Sequence, residues 1–199
     1  MKSTDDALRQ CAQELSELAE ANGGDPNKAR DQAIASIKRL LECPGLIGPG
    51  IPRVSQHLDS TRILYYDTKV QMTIGKGRAG LYDPPHNHGA WLATAIYQEG
   101  EVKYADYRRM DDQSRPGHAD LKVADARILR PGDVALTPPP PHDIHENATL
   151  ADSYMLVITG GTFAPVREYY DVEAKTYSAK AELTKDTVKQ PSAQAQGVY

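Results

Sequence analysis

Apolar residues recur at helical spacing in the first part of the chain. A Ser3-x-x-Asp6 start signal precedes a first apolar stripe, and Asn22-Gly23-Gly24 ends that helix. Asp25-Pro26 begins a second helix with Asp25 as cap, and its stripe runs from Ala33 to Leu41. The pattern therefore predicts a two-helix arm, residues 1–44, packed on the outside of a larger unit. The first stripe comprises Leu8, Cys11, Leu15, Leu18 and Ala19.

The period changes from helical to two after a segment rich in Gly and Pro at 45–52. Short runs that alternate or are apolar throughout are separated by turn signals, which is typical of antiparallel strands. Two helices followed by many short strands predict a mainly β fold, an all-β barrel or jelly roll over residues 45–184. Residues 185–199 are polar and predict a flexible tail. The strand candidates are 62–66, 69–74, 82–97, 102–109, 122–130, 133–137, 153–159 and 166–172.

Composition narrows the class of protein. With 199 residues, 40% of them apolar, the chain is long enough for one domain with a helical arm. A net charge of −4 argues against a nucleic-acid partner, and no apolar run is long enough for a membrane span. The N-terminus carries no signal-peptide pattern, so a cytoplasmic location is expected. Cys11 and Cys43 lack zinc-type spacing and are expected to be reduced thiols.

The most informative stretch is a His-x-His pair. In an extended strand, His86 and His88 point to the same face and Asn87 points away. The Pro-Pro pair before them favours extended backbone. A third imidazole from the later segment 138–147 would complete a metal site, and either His142 or His145 qualifies. We favour His145 because it follows the apolar Ile144, whereas His142 adjoins a rigid proline turn; the remaining histidines, His57 and His118, are expected at the surface.

These residues resemble the cupin superfamily. The motifs are Pro85-His86-Asn87-His88-Gly89-x-Trp91, Pro131-Gly132-Asp133 and Asp143-Ile144-His145-x-Asn147. Within the superfamily the chain is most similar to the thiol dioxygenases, namely cysteine dioxygenase and its bacterial mercaptopropionate-type relatives. The resemblance spans residues 61–161 and implies a cupin-type β-barrel preceded by helices.

The resemblance also implies a site. One Fe(II) ion would be held by His86, His88 and His145, and O2 would be added to a small carboxylate-bearing thiol to give a sulfinic acid. Thr61-Arg62 resembles the pair whose guanidinium holds the substrate carboxylate, although Arg62 also fits a surface arginine paired with an acid. Trp91 is expected in the barrel wall, and the alternative is that it binds the substrate as part of the pocket lining. Asn147 is expected either to donate a hydrogen bond behind the ligands or to end its strand.

The chemistry of three imidazoles is consistent with such a reaction. They leave the charge of the ion uncompensated, which favours an incoming anion such as a thiolate. Where ordinary cupins place a carboxylate ligand, four or five residues after the second histidine, this chain has Leu92 and Ala93. Imidazole suits several metals, so Ni, Cu, Zn and Mn stay open besides iron.

One part of the family pattern is missing. The family carries serine, histidine and tyrosine at alternate positions of a late strand, and alignment through Thr159-Gly160-Gly161 places Tyr154, Leu156 and Ile158 there. The crosslinking cysteine of the animal enzymes is Ala93 here, and bacterial relatives lack that cysteine as well. Tyr154 is then the expected catalytic residue, replacing part of the lost function.

Two other functions stay open. The apolar Leu156 and Ile158 would favour a three-histidine cupin oxygenase that acts on a carbon substrate, a diketone or an aromatic. The other alternative is a non-catalytic metal-containing cupin that binds a small molecule. A structural zinc site is less consistent with the pattern, since such sites are closed by a fourth protein ligand. The substrate and the oligomeric state are not indicated by the sequence.

Overall fold

Two helices precede the strands. The computed structural model describes residues 3–52, 58–160, 166–181 and 197–198 of the chain. The long helices are α1 (Thr4–Ala21) and α2 (Arg30–Leu41), and a 3-10 helix (Pro26–Ala29) leads into α2. The side chain of Ser3 accepts a hydrogen bond from the amide of Asp6 at 3.1 Å, so the predicted start of α1 is confirmed.

The described residues form thirteen strands in two antiparallel sheets. The first sheet has the order β1-β2-β3-β10-β5-β8, with β13 paired to β2, and the second has the order β12-β11-β4-β9-β6-β7. The strands are β1 (Ile51–Pro52), β2 (Asp59–Tyr66), β3 (Gln71–Gly77), β4 (Tyr82–His86), β5 (Leu92–Tyr97), β6 (Glu101–Arg109), β7 (Leu121–Leu129), β8 (Val134–Thr137), β9 (Ile144–Ala151), β10 (Ser153–Thr159), β11 (Val166–Asp171), β12 (Thr176–Ala181) and β13 (Gly197–Val198).

The central eight strands have jelly-roll connectivity. The run β3-β10-β5-β8 in one sheet and the run β4-β9-β6-β7 in the other are what two interleaved Greek keys produce. The fold class predicted from the sequence, a mainly β jelly roll with a two-helix N-terminal arm, is confirmed. Of the predicted tail, residues 185–196 and 199 lie outside the described residues, and Gly197–Val198 pair with β2.

The first sheet is buried on both faces. The side chains of β10 alternate between these two faces, and the clusters in which they pack show which residues point to which face. On one face, Leu156 and Ile158 pack in a cluster with Leu8 and Leu15 of α1 and Ile37 of α2. On the other face, Met155 packs with Ile96 and Ala135 of the same sheet and with Val102, Tyr104 and Leu129 of the second sheet. Even-numbered residues of β10 therefore face the helices, and odd-numbered residues face the interior between the sheets.

A buried hydrogen-bonded chain joins the two sheets. The hydroxyl of Thr137 on β8 donates to Asp106 Oδ1 on β6 at 2.6 Å. The hydroxyl oxygen of Thr137 lies 2.5 Å from the hydroxyl of Tyr104, which donates to it because the proton of Thr137 is already used. The row of side chains that contains Thr137 in the first sheet consequently faces the row that contains Asp106 in the second.

The remaining expectations concern thiols and membranes. Cys11 is buried, Cys43 is half-buried, and neither is in a disulfide. Burial raises the pKa of the Cys11 thiol to about 12. Among the helices of the described ranges, none combines the length and apolar character that a membrane crossing requires.

Candidate metal centre

Three histidines from two neighbouring strands and the loop beyond one of them come together in the interior. His86, at the end of β4, pairs directly with His145 on β9, and His88 follows two residues after His86. One ring nitrogen of each of the three lies within 4.8 Å of the others, and the exposed fractions of the residues are 1%, 5% and 1% for His86, His88 and His145. No other group of this kind is found within the part of the chain that the structure describes.

The ring of His86 is oriented by a backbone carbonyl. Its Nδ1 lies 2.8 Å from the carbonyl oxygen of Pro84, which only accepts, so Nδ1 carries the proton. The lone pair of His86 is therefore on Nε2, and this nitrogen lies 2.9 Å from Nε2 of His88. Such an outer hydrogen bond is the usual device that fixes the tautomer of a metal-binding histidine.

Asp143 ties the segment of His88 to the segment of His145. One of its carboxylate oxygens accepts hydrogen bonds from the backbone amides of His88 at 3.2 Å and of Gly89 at 2.7 Å. Burial raises the pKa of this carboxyl, and the amides oppose the rise. Because Asp143 precedes His145 by two residues, the bonds hold both ligand-bearing segments in one register.

Two tyrosine rings fix the imidazoles from either side. The ring of Tyr104 is stacked on His145 with centroids 5.3 Å apart and planes 10° apart. Tyr169 on β11 pairs with His86 in the register, and its ring is stacked at 5.7 Å and 27°. Packed rings of this kind restrict the rotation of the imidazoles that they cover.

The electrostatics keep His145 neutral. Burial, and after it the positive charge of Arg167, lowers the pKa of His145 to about 3. Its Nδ1 is buried and has no hydrogen-bond partner among the described residues. A neutral imidazole is the form that binds a metal, so His145 is ready to bind one at any physiological pH.

The ring nitrogens of His86 and His88 are spaced as two ligands of a single metal ion would be. Two nitrogens at about 2.1 Å from one ion and at right angles to each other are about 3.0 Å apart. The separation of 2.9 Å between Nε2 of His86 and Nε2 of His88 agrees with that arrangement. The cluster contains no carboxylate among the described residues, so the ion would keep its full positive charge.

Sequence reasoning missed Arg167. It lies on β11 two residues before Tyr169, so both side chains point to the same face as His86. Only 7% of Arg167 is exposed, and its charge acts on His145. Residues 166–172 had been predicted only as a late strand. Nothing in an isolated arginine of such a strand signals that it points inward.

The structure does not bring Arg62 to the histidines. Arg62 pairs across the strands with Ile74, which packs in the helix-facing cluster, so Arg62 lies on the outer face of the first sheet. Its Nε donates to the carbonyl of Pro49 at 3.0 Å. The expectation that Arg62 holds the substrate carboxylate is corrected accordingly.

The expectations for the late strand also need correction. Tyr154 packs against the helix-facing cluster and lies beside the ammonium of Lys76, which is 5.7 Å from the ring centroid. Leu156 and Ile158 belong to the same cluster. The strand positions that face the histidines are the odd ones, so the alignment through Gly160 placed the wrong parity inward. Tyr154 is therefore not in the site.

Trp91 also lies outside the site. It is 5% exposed and belongs to the helix-facing cluster, where its indole covers Gly160 so closely that an added Cβ on the glycine would lie 2.2 Å from Nε1. It thus contributes to the wall, as expected, but not to the lining of the interior.

The other histidines and Asn147 are placed as follows. His142 is half-buried in the turn after the prolines and does not belong to the cluster. His118 forms an isolated bridge with Thr176, and His57 lies outside the described residues. Asn147 faces the interior beside Tyr104, and its Oδ1 is buried with no partner among the described residues.

Comparisons with known proteins show distant structural likenesses. An oxalate oxidase in complex with the substrate analogue glycolate is 16% identical, with a TM-score of 0.42, over 63% of this chain and 64% of that chain. The DMSP lyase DddQ from Ruegeria pomeroyi is 20% identical, with a TM-score of 0.40, over 58% of this chain and 55% of that one. An RmlC-like cupin protein from Desulfovibrio desulfuricans is 16% identical, with a TM-score of 0.39, over 60% and 94%.

The similarity is limited to structure. No protein-family model matches the chain, and no curated protein matches it in sequence. The matched region spans less than two thirds of the oxalate oxidase and of the lyase. The neighbours are cupin-fold proteins and include enzymes. The chemistry of the site is inferred from its own residues.

Proposed function

We propose that this protein is a mononuclear non-haem iron dioxygenase that adds O2 to a small carboxylate-bearing thiol and gives a sulfinic acid. The observation that carries the proposal is the buried cluster of three imidazoles, whose possible ligand atoms include no carboxylate, beside the buried cation of Arg167. The atoms balance, since one thiol and one O2 give one sulfinic acid.

The charge of the site favours a dianionic substrate. An Fe(II) ion held by His86, His88 and His145 would supply a Lewis-acidic centre that stabilises a thiolate and reacts with O2. Arg167 supplies a second positive charge on the same face of the second sheet, and its planar guanidinium matches a carboxylate. A short molecule with a thiolate at one end and a carboxylate at the other carries a complementary charge for each.

The protein's own residues orient the parts. Pro84 and Asp143 fix the segments that carry the histidines, and the rings of Tyr104 and Tyr169 cover two imidazoles. The backbone of Asn87 donates to Glu168 O at 3.2 Å, and its side-chain carbonyl accepts from Glu168 N at 2.9 Å. These bonds attach the strand that carries Arg167 to the His-x-His segment.

The alternative function, a three-histidine oxygenase that acts on a carbon substrate, loses the observation that favoured it. That alternative depended on Leu156 and Ile158 lining the pocket, and both face the helices. The interior wall around Val157 carries Thr73 and Thr94 at the paired positions, which are polar. A non-catalytic binding cupin stays as the outcome in which a metal and ligands bind without consumption of O2.

Oxygen uptake by the iron-loaded protein tests the proposal. The substrates are a panel of short thiols with and without a carboxylate, together with enolisable diketones, and mass spectrometry identifies the product. We expect uptake only with carboxylate-bearing thiols and a product heavier by two oxygen atoms. Uptake only with diketones, or binding without uptake across the whole panel, would contradict the proposal.

A further inference from the structure

The partial exposure of one inward-facing residue indicates a hollow between the sheets. Val157 lies in the middle of the first sheet, with β3 and β5 on either side, and its side chain points inward. It is nevertheless partly exposed, whereas its neighbours Leu156 and Ile158 are fully buried against the helices. An inward-facing residue of a central strand keeps exposure only where the space before it is open.

Two facing rows of side chains define this hollow. In the second sheet, the register places Tyr169, His86, His145 and Asp106 side by side on β11, β4, β9 and β6. In the first sheet, it places Gln71, Thr159, Leu92 and Thr137 side by side on β3, β10, β5 and β8.

The bond between Thr137 and Asp106 shows that the two rows face each other. Gln71 is at the opposite end of its row from Thr137, as Tyr169 is at the opposite end of its row from Asp106. Packed sheets are about 10 Å apart, so the amide of Gln71 projects into the gap on the side of Tyr169 and His86.

Gln71 is unusual because its polar atoms have no hydrogen-bond partner among the described residues. Only 1% of the residue is exposed, and within the described residues neither Oε1 nor Nε2 makes a hydrogen bond. A buried amide without partners destabilises the folded state. An apolar side chain would avoid that cost, so an amide at this place indicates a partner that arrives with a ligand.

We propose that Gln71 is a specificity-determining residue that hydrogen-bonds a third polar group of the substrate, an amine or hydroxyl on the carbon chain between thiol and carboxylate. This inference rests on the proposed function and narrows its substrate class. A carboxamide offers one acceptor and two donors, which suits a group that both donates and accepts. The unpartnered Oδ1 of Asn147, on the facing sheet, offers a second acceptor in the same interior.

Calorimetric titration of the iron-loaded protein without O2 tests this inference. The probes are 3-mercaptopropanoate, its 2-amino derivative and its 2-hydroxy derivative. A hydrogen bond to a buried amide is worth about 1–1.5 kcal/mol, so the wild type should bind the substituted probes roughly tenfold more tightly than the plain one. Gln71→Leu should lose this preference while the plain probe keeps its Kd. Gln71→Glu should favour the amino probe over the hydroxy probe.

A thermal melt of the ligand-free protein separates binding from a structural role. Since Gln71→Leu removes an unsatisfied amide, its Tm should rise by about 2–4 °C. A fall of several degrees, an unchanged preference in Gln71→Leu, or no preference in the wild type overturns the inference. If the protein takes up O2 but Gln71→Leu still prefers the substituted probes, only this inference is overturned. If the preference depends on Gln71 but no O2 is taken up, only the proposed function is overturned. If no probe binds, both are overturned.

Discussion

His86 and His145 lie directly opposite each other on neighbouring antiparallel strands, and the centroids of their rings are 4.5 Å apart. The two residues are 59 positions apart in the sequence. Cross-strand pairing brings them together, since residues in register share one face of the sheet. His88 joins them from the loop after β4, with its ring centroid 4.8 Å from that of His86 and 5.0 Å from that of His145.

Replacement of Arg167 by Met should weaken the binding of the substrate carboxylate. A charge-assisted hydrogen bond contributes about 1.5–3 kcal/mol, so kcat/KM should fall roughly 10–100-fold, mainly through KM. Steady-state oxygen uptake measures this. Arg62→Met is the matched control, because Arg62 lies on the outer face, and it should leave KM unchanged. A larger loss in the Arg62 variant than in the Arg167 variant would return the carboxylate site to β2.

Replacement of Tyr154 by Phe should leave turnover within about twofold of wild type, because the hydroxyl lies on the helix side of the sheet. Leu156→Ala in the same cluster should lower the free energy of unfolding by about 2–5 kcal/mol through the cavity that it creates. Kinetics and urea unfolding check the two variants. A large loss of turnover in Tyr154→Phe at full iron content would show that the hydroxyl reaches the reacting atoms.

Replacement of Asp143 by Ala should lower metal affinity about 10–100-fold, as the loss of an outer hydrogen-bond partner does at other sites. Asp67→Ala is the matched control, since Asp67 Oδ1 also accepts two backbone amides, those of Lys69 and Val70 at 2.7 Å, in a turn. Competition with a chelator measures both affinities. Equal losses in the two variants would mean that Asp143 acts only through general stability.

The stability of the metal-free protein should fall as the pH drops below the pKa of an unfolded histidine. The pKa of His145 is lowered from 6.5 to about 3 in the fold, so the unfolded chain binds a proton first. Between pH 6.5 and pH 5, protonation of this histidine in the unfolded chain lowers the free energy of unfolding by about 2 kcal/mol. The loss would continue until about pH 3.

Urea unfolding of wild type and His145→Gln at several pH values isolates this contribution. The free energy of unfolding of the wild type minus that of His145→Gln should decrease by about 2 kcal/mol from pH 7 to pH 5. His118→Gln, a replacement away from the cluster, serves as the control. A difference that stays constant with pH would contradict the buried neutral state of His145.

The fold and the histidine cluster were more predictable from the sequence than the rest of the site. Helical spacing around Leu8 and Leu15 and period-two strands are local signals, and His86 and His88 share a face of any strand that contains both. The direction of β10 was not predictable, because both of its faces are buried and Leu156 and Val157 show no apolar–polar alternation. A shift by one residue there reverses every side chain, which is why Tyr154 was placed inward. The inward positions of Arg167 and Gln71 were not predictable either, because they depend on the pairing of strands that are distant in the sequence.

Metal content is the most direct test of the central claim that three imidazoles share one ion. Anaerobically purified wild type and the variants His145→Ala and His142→Ala are analysed by inductively coupled plasma mass spectrometry, with circular dichroism as the check of folding. The account predicts one equivalent of metal in the wild type and in His142→Ala, and almost none in folded His145→Ala. Full metal in His145→Ala together with its loss in His142→Ala would contradict the account.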